Sequence, residues 1–226
     1  MDPSRTLVMA CAIVLEEMLP HIPEGMDYQL FDFGLHVNPD KLRVTLQEAI
    51  DDVNGRYDTI ILGYGMCSQA IVGLHANNCR LVVPGVDDCI AIFLGSRQAY
   101  HSQTRSEPGT YYLTKGWIEA GITPFSEYNY TAEKDGKEKA DRIYHVMMAN
   151  YKRLALINTG QYEIEEYRDY TKWTANRFNL RFEEIEGSDA LVKKMLFGPW
   201  DEEFVVLQPG ETVTLDHFLP RLKGDG

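Results

Sequence analysis

Thr59-Ile60-Ile61-Leu62 is an apolar run without a charge, preceded by Tyr57-Asp58 and followed by Gly63-Tyr64-Gly65. It is short and does not alternate, so it reads as a strand covered on both faces, the situation of a parallel sheet. Two further runs repeat the pattern: residues 6–9 lead to Ala10-Cys11, and residues 80–83 are closed by Pro84-Gly85. Parallel strands need long crossovers, and the segments between these runs carry helix signals. In Asn38-Pro39-Asp40 a capping side chain precedes a proline at the first helical position. Leu42, Val44, Leu46, Ile50 and Val53 follow at near-helical spacing, and Gly55 ends the element.

The second half alternates in the same way. Residues 153–157, 182–185 and 204–207 read as strands, and residues 163–176 and 190–196 as helices. The expected fold is α/β, a doubly wound, mainly parallel, Rossmann-like sheet forming two similar halves without repeated residue identity. Within a single α/β domain, the expected division is residues 1–100 carrying the cysteines, 101–150 as an insertion or lid, and 151–226 as the second half. Helices are expected around 115–119 and 137–150 in the insertion.

Charge narrows the function. The 226 residues carry a net charge of −12 (22 Lys+Arg against 34 Asp+Glu), and the basic stretch 134–142 is mixed in sign. A nucleic-acid partner needs a basic face, so none is expected. The longest apolar run, residues 7–15, is nine residues and is followed by Glu16 and Glu17. That is far short of the roughly 20 a membrane span needs. A soluble, cytoplasmic chain in a reducing compartment is expected, which makes its four cysteines packing residues or chemistry rather than disulfides.

In doubly wound folds ligands gather beyond the carboxyl ends of the strands. Cys11, Cys67 and Cys89 each fall in the loop after an expected strand, whereas Cys79 precedes one at the opposite edge and is assigned to packing. Helix N-termini favour thiolates. Gly63, Gly65 and Gly85 let the backbone approach a bound centre closely. Three thiolates leave one coordination position open, which suits an iron–sulfur cluster (a 4Fe–4S cubane with one unique iron) or a zinc with a labile ligand. The gaps, Cys11-x55-Cys67 and Cys67-x21-Cys89, contain no CxxC, so topological equivalence carries the inference. His75 either completes the ligand set or donates to a carbonyl at a helix end. Arg97, after Gly95-Ser96, either holds an anionic substrate or ends a helix as a solvated cation, and His75 or His101 stands as a proton carrier. Tyr111, Tyr112 and Trp117 form an aromatic patch, more typical of core than of a binding surface. GxGxxG, P-loop and GxSxG patterns are absent from the sequence.

Several stretches together resemble the domain of unknown function 1638 of bacteria and archaea: Ala10-Cys11, Leu62-Gly63-Tyr64-Gly65-Met66-Cys67, Arg80-Leu81-Val82-Val83-Pro84 with Asp87-Asp88-Cys89, Leu94-Gly95-Ser96-Arg97, and Gly109 to Thr114 with Gly116-Trp117. The resemblance implies association with corrinoid-dependent methyl transfer in anaerobes, and no assigned reaction.

The expected function is a metal- or iron–sulfur-centre protein in anaerobic one-carbon metabolism, either enzyme or cofactor-handling accessory. Its partners would be a small-molecule substrate or a corrinoid methyltransferase protein, with homo-oligomers open. The alternatives are a non-catalytic delivery partner of a methyltransferase system and a metal-free acid/base enzyme using Cys11 and Cys67.

Overall fold

The computed structural model describes residues 2–219 apart from Asn54 and Ser68. Its strands are β1 (Thr6–Cys11), β2 (Asp27–Phe31), β3 (Thr59–Gly63), β4 (Arg80–Pro84), β5 (Thr110–Leu113), β6 (Arg153–Asn158), β7 (Arg181–Glu186) and β8 (Phe204–Leu207). Its α-helices are α1 (Ala12–Met18), α2 (Pro39–Asp52), α3 (Ile90–Phe93), α4 (Arg97–Ser106), α5 (Lys115–Ala120), α6 (Pro124–Asp135), α7 (Lys137–Met148), α8 (Glu165–Arg177) and α9 (Ala190–Phe197). Among the described residues no helix is long and apolar enough to cross a membrane.

The chain divides into two compact units, Met1–Ala99 with Ser188–Gly226, and Tyr100–Gly187. The first unit holds a five-stranded sheet in the order β2-β1-β3-β4-β8, in which β8 alone is antiparallel. Every residue of β1 and β3 is buried, which is what their uninterrupted apolar runs require. Each aliphatic side chain so covered contributes about 1.5–3 kcal/mol. Helix α2 starts as its sequence indicates, with Asn38 Oδ1 accepting from the Lys41 N–H at 3.0 Å and Pro39 in the first turn.

The second unit holds a parallel sheet in the order β5-β6-β7. Its core gathers Leu113, Phe125, Met148, Leu154, Leu156 and Ala175, with Tyr111 and Trp117 packed against them. Arg153, at the start of β6, is 2% exposed and fully engaged. Its Nε donates to Thr110 Oγ1 at 2.7 Å, and its two terminal nitrogens donate to Glu183 Oε2 at 3.1 Å and Gln103 Oε1 at 2.9 Å.

The α/β class and the mainly parallel sheets agree with the sequence, whereas the division of the chain differs. Residues 101–150, expected as an insertion, supply β5, which pairs with β6 in register from Thr110↔Arg153 to Leu113↔Leu156. Residues 188–219, expected within the second half, return to the first unit. There β8 pairs with the free side of β4, and α9 packs on β3 and β4. Both differences have one cause: strands as short as β5 and β8 are stable only beside a neighbour with an open edge, and which neighbour that is depends on pairing far along the chain.

Candidate functional site

Three crossover loops meet at the carboxyl edge of the five-stranded sheet, and each carries a cysteine. Cys11 is the last residue of β1 and stands directly before α1. In the next strand Gly63 pairs with Ala10, so closely that a Cβ on Gly63 would lie 2.5 Å from the Ala10 Cβ. The chain then turns through Tyr64 and Gly65 to Cys67, which has φ +46, a left-handed conformation that a non-glycine residue adopts only under strain. (Ser68, the next residue of this loop, lies outside the described residues.) Met66 and Cys67 donate their N–H groups to the carbonyls of Val86 and Asp87 at 2.8 and 3.1 Å, tying this loop to the one after β4. There Asp88 Oδ1 accepts from the Ile90 N–H at 2.9 Å, setting Cys89 at the start of α3.

The glycines act on the loops themselves. A Cβ on Gly65 would come within 2.8 Å of the Asp88 backbone, and the Gly85 N–H donates to the Glu203 carbonyl at 2.7 Å. At these positions the close approach is of one loop to another.

The cysteine side chains share an electrostatic environment. Burial pushes the Cys11 thiol up to about 11, against the N–H groups of Val14, Ile13 and Cys11, which favour the thiolate. Cys67 is raised further, first by burial and then by the charges of Cys11 and Asp88. Cys89 is raised well above its ordinary value by burial, then by Cys67, Cys11 and Asp88. Each thiolate would thus be felt by another, and without a cation all three remain neutral thiols at neutral pH.

Tyr64 is electrostatically coupled to all three. Burial raises its phenol, and the next contributions come from Cys11, Cys67 and Cys89 in turn. The residue is 1% exposed, and its hydroxyl has no hydrogen-bond partner among the described residues. A buried hydroxyl left unpaired costs about 1–3 kcal/mol.

His36 adjoins Tyr64, the two rings stacked at 5.7 Å between centroids and 24° between planes. It sits in a short 3-10 turn, Phe33–Val37, in the loop that follows β2. Its Nδ1 lies 3.0 Å from the Phe33 carbonyl, so Nδ1 carries the proton and Nε2 presents a lone pair. That Nε2 is buried and has no partner among the described residues, and burial lowers the basicity of the ring. Sequence reasoning passed over both residues. The signal for His36 was available, because it lies in the loop after β2, whose last residue, Phe31, pairs with Cys11. Tyr64 was hidden inside a loop read only for its glycines.

His75 forms a bridge with Thr212, and its N–H and C=O both engage the Gln47 side-chain amide at 3.1 Å. Arg97 opens α4 with its Nε and one terminal nitrogen buried. His101 belongs to the second unit, its ring 6.2 Å from that of Tyr100. Cys79 is buried immediately before β4, at the opposite edge from the other cysteines. Among the described residues no three or more His, Cys, Asp or Glu side chains are grouped so as to hold a metal ion.

Comparison with family models gives a match over residues 30–196 to the family described as "Protein of unknown function (DUF1638)". That span covers well over half of the chain. No curated protein matches, and no solved structure does.

Proposed function

We propose, from the premise that the chain belongs to the DUF1638 family, that Cys11, Cys67 and Cys89 hold a metal centre with one open position for a small-molecule substrate. The observation that carries this reading is Tyr64: a buried hydroxyl without a hydrogen-bond partner among the described residues, within electrostatic reach of the buried Cys11 and Cys89 and the half-buried Cys67. Without a cation this arrangement gains nothing from its polarity. A cation favours all three thiolates at once and gives the phenol a polar neighbour.

We take an iron–sulfur cluster as the first candidate and zinc as the second. A single zinc asks its ligands to converge within about 2.3 Å of one point. The side chains do not converge on one ion as they stand. A cluster spreads its thiolates over different irons and does not ask for that convergence. When bound, such a centre supplies a Lewis acid at its open position. The chain's own residues do the rest. The loops after β1, β3 and β4 orient the thiols, Tyr64 donates a hydrogen bond into the site, and His36 Nε2 accepts a proton or a hydrogen bond beside it.

The setting follows the family resemblance: corrinoid-dependent methyl transfer in an anaerobic cytoplasm, as enzyme or as cofactor-handling accessory. The metal-free reading is disfavoured on one specific ground. An acid/base thiol works best with a pKa near the operating pH, and burial moves Cys11 to about 11 and Cys67 further from neutrality.

The test is anaerobic purification followed by elemental analysis and a visible spectrum, on wild type and on Cys11→Ser, Cys67→Ser and Cys89→Ser. The expected result is iron with inorganic sulfide, or zinc, in wild type and a large loss in every variant. Wild-type protein that carries no metal and takes none up on reconstitution would sink the proposal.

A further inference from the structure

The opposite edge of the same sheet carries a cavity of about 390 Å³, lined by the first residues of β1, β3 and β4 (Thr6, Thr59 and Arg80) together with Arg5, Phe197 and Trp200. Its volume lies within the range of small-molecule sites, roughly 300–1,000 Å³. Strand β1 is six residues long, which puts this cavity about 16 Å from the Cys11 end at the usual rise per residue. It is a separate place from the thiol cluster.

Most of the charge around it is already committed. Arg5 is held by Asp58 through Nε at 3.2 Å and a terminal nitrogen at 2.5 Å, and it also donates to the Arg56 carbonyl at 3.0 Å. Asp2 accepts from the N–H and hydroxyl of Ser4 at 3.0 and 2.8 Å. Arg80 is the exception. Among the described residues its guanidinium makes neither a hydrogen bond nor an ion pair, and its Nε is buried without a partner. In a chain with 34 acidic residues against 22 basic ones, a half-buried arginine without a carboxylate is a position kept for another anion.

The aromatic wall narrows the ligand further. The Arg80 guanidinium carbon lies 5.7 Å from the Trp200 ring centroid, which holds the planar cation against the indole face. The Trp200 N–H is spent on the Met195 carbonyl at 2.9 Å, so the indole offers its ring alone. Phe197, 57% exposed, adds a second aromatic surface to the lining.

We propose that this cavity binds a small organic anion, its carboxylate or phosphate on Arg80 and its flat apolar body against Trp200 and Phe197. The site is independent of the metal centre. The test is titration of the full chain, by calorimetry or protein NMR, with benzoate, its neutral isostere benzamide, and inorganic phosphate. Benzoate is expected to bind saturably and the other two far more weakly, since one lacks the charge and the other the ring. Arg80→Gln should weaken benzoate about ten- to a hundredfold, the worth of one charge-assisted pair. Phe197→Ala, at an exposed position where folding is safe, should weaken it several-fold with inorganic phosphate unaffected. Benzamide binding as well as benzoate, or a folded Arg80→Gln that keeps full benzoate affinity, would overturn the oxyanion role. Phosphate matching benzoate, or Phe197→Ala without effect, would overturn the role of the aromatic wall.

Discussion

Replacing Gly65 by alanine tests whether the loop after β3 is held against the loop after β4 for the sake of the thiols. The new Cβ would lie 2.8 Å from two Asp88 backbone atoms and 2.9 Å from a third, where ordinary contact begins at 3.4 Å. Backbone gives way less easily than the tip of a side chain, so the two loops must part by about 0.6 Å, a misfit of the kind that costs ~1–3 kcal/mol. That separation stretches the Cys67 N–H bond to the Asp87 carbonyl, now 3.1 Å, beyond hydrogen-bonding range, and leaves the Met66 bond to Val86, now 2.8 Å, marginal. With about 0.5–1.5 kcal/mol for each weakened bond, the expected destabilisation is roughly 2–6 kcal/mol. Urea unfolding measures this term. Thiol labelling of the native protein measures the second consequence, since Cys67 and Cys89 should become more reactive once the loops part. A variant within about 0.5 kcal/mol of wild type, with its thiols as slow as before, would refute the loop-contact reasoning.

The thiol environment predicts a loss of stability in alkali. The Cys11 thiol of the unfolded chain ionises near 9.0 and that of the folded chain near about 11, so the unfolded state gives up its proton first. In chelator-treated protein this costs about 2–3 kcal/mol by pH 11, and Cys11→Ala should remove that part of the slope in a urea series from pH 8 upward. At the acid end the sign reverses. In the second unit the Arg168 hydrogen bond holds the Glu184 carboxyl below its ordinary 4.5, while at Glu183 burial acts upward and Arg153 with Arg181 outweighs it. The unfolded state therefore binds protons first as pH falls through 4.5, stability is lost below that point, and Glu184→Gln should flatten the decline in thermal melts. Arg153→Ala removes a buried cation from Thr110, Gln103 and Glu183, leaves Glu183 paired with Arg181, and should cost about 2–4 kcal/mol in lost hydrogen bonds and packing. Hydrogen exchange along β6 is the measurement, and unchanged protection would contradict it.

Much of the first unit was legible in the residues. Uninterrupted apolar runs such as Thr59 to Leu62 specify strands buried on both faces, and such strands specify a parallel sheet with crossovers. The rule that loops after parallel strands share one edge then put Cys11, Cys67 and Cys89 at one edge of the sheet and Cys79 at the other, without any spacing motif. These are local facts: side-chain period, a cap such as Asn38, a proline at a first turn.

What stayed hidden depends on partners distant in sequence. Thr110 to Leu113 becomes a strand because β6 lies beside it, and Phe204 to Leu207 returns to the first unit because β4 has an open side. His36 and Tyr64 show the same thing for the site. Neither belongs to a motif, and only tertiary packing stacks one on the other, buries a hydroxyl and an imidazole nitrogen without partners among the described residues, and brings the phenol within electrostatic reach of three thiols. Sequence period decides which faces are apolar. Burial and the absence of a hydrogen-bond partner are properties of space, and the structure alone decided them.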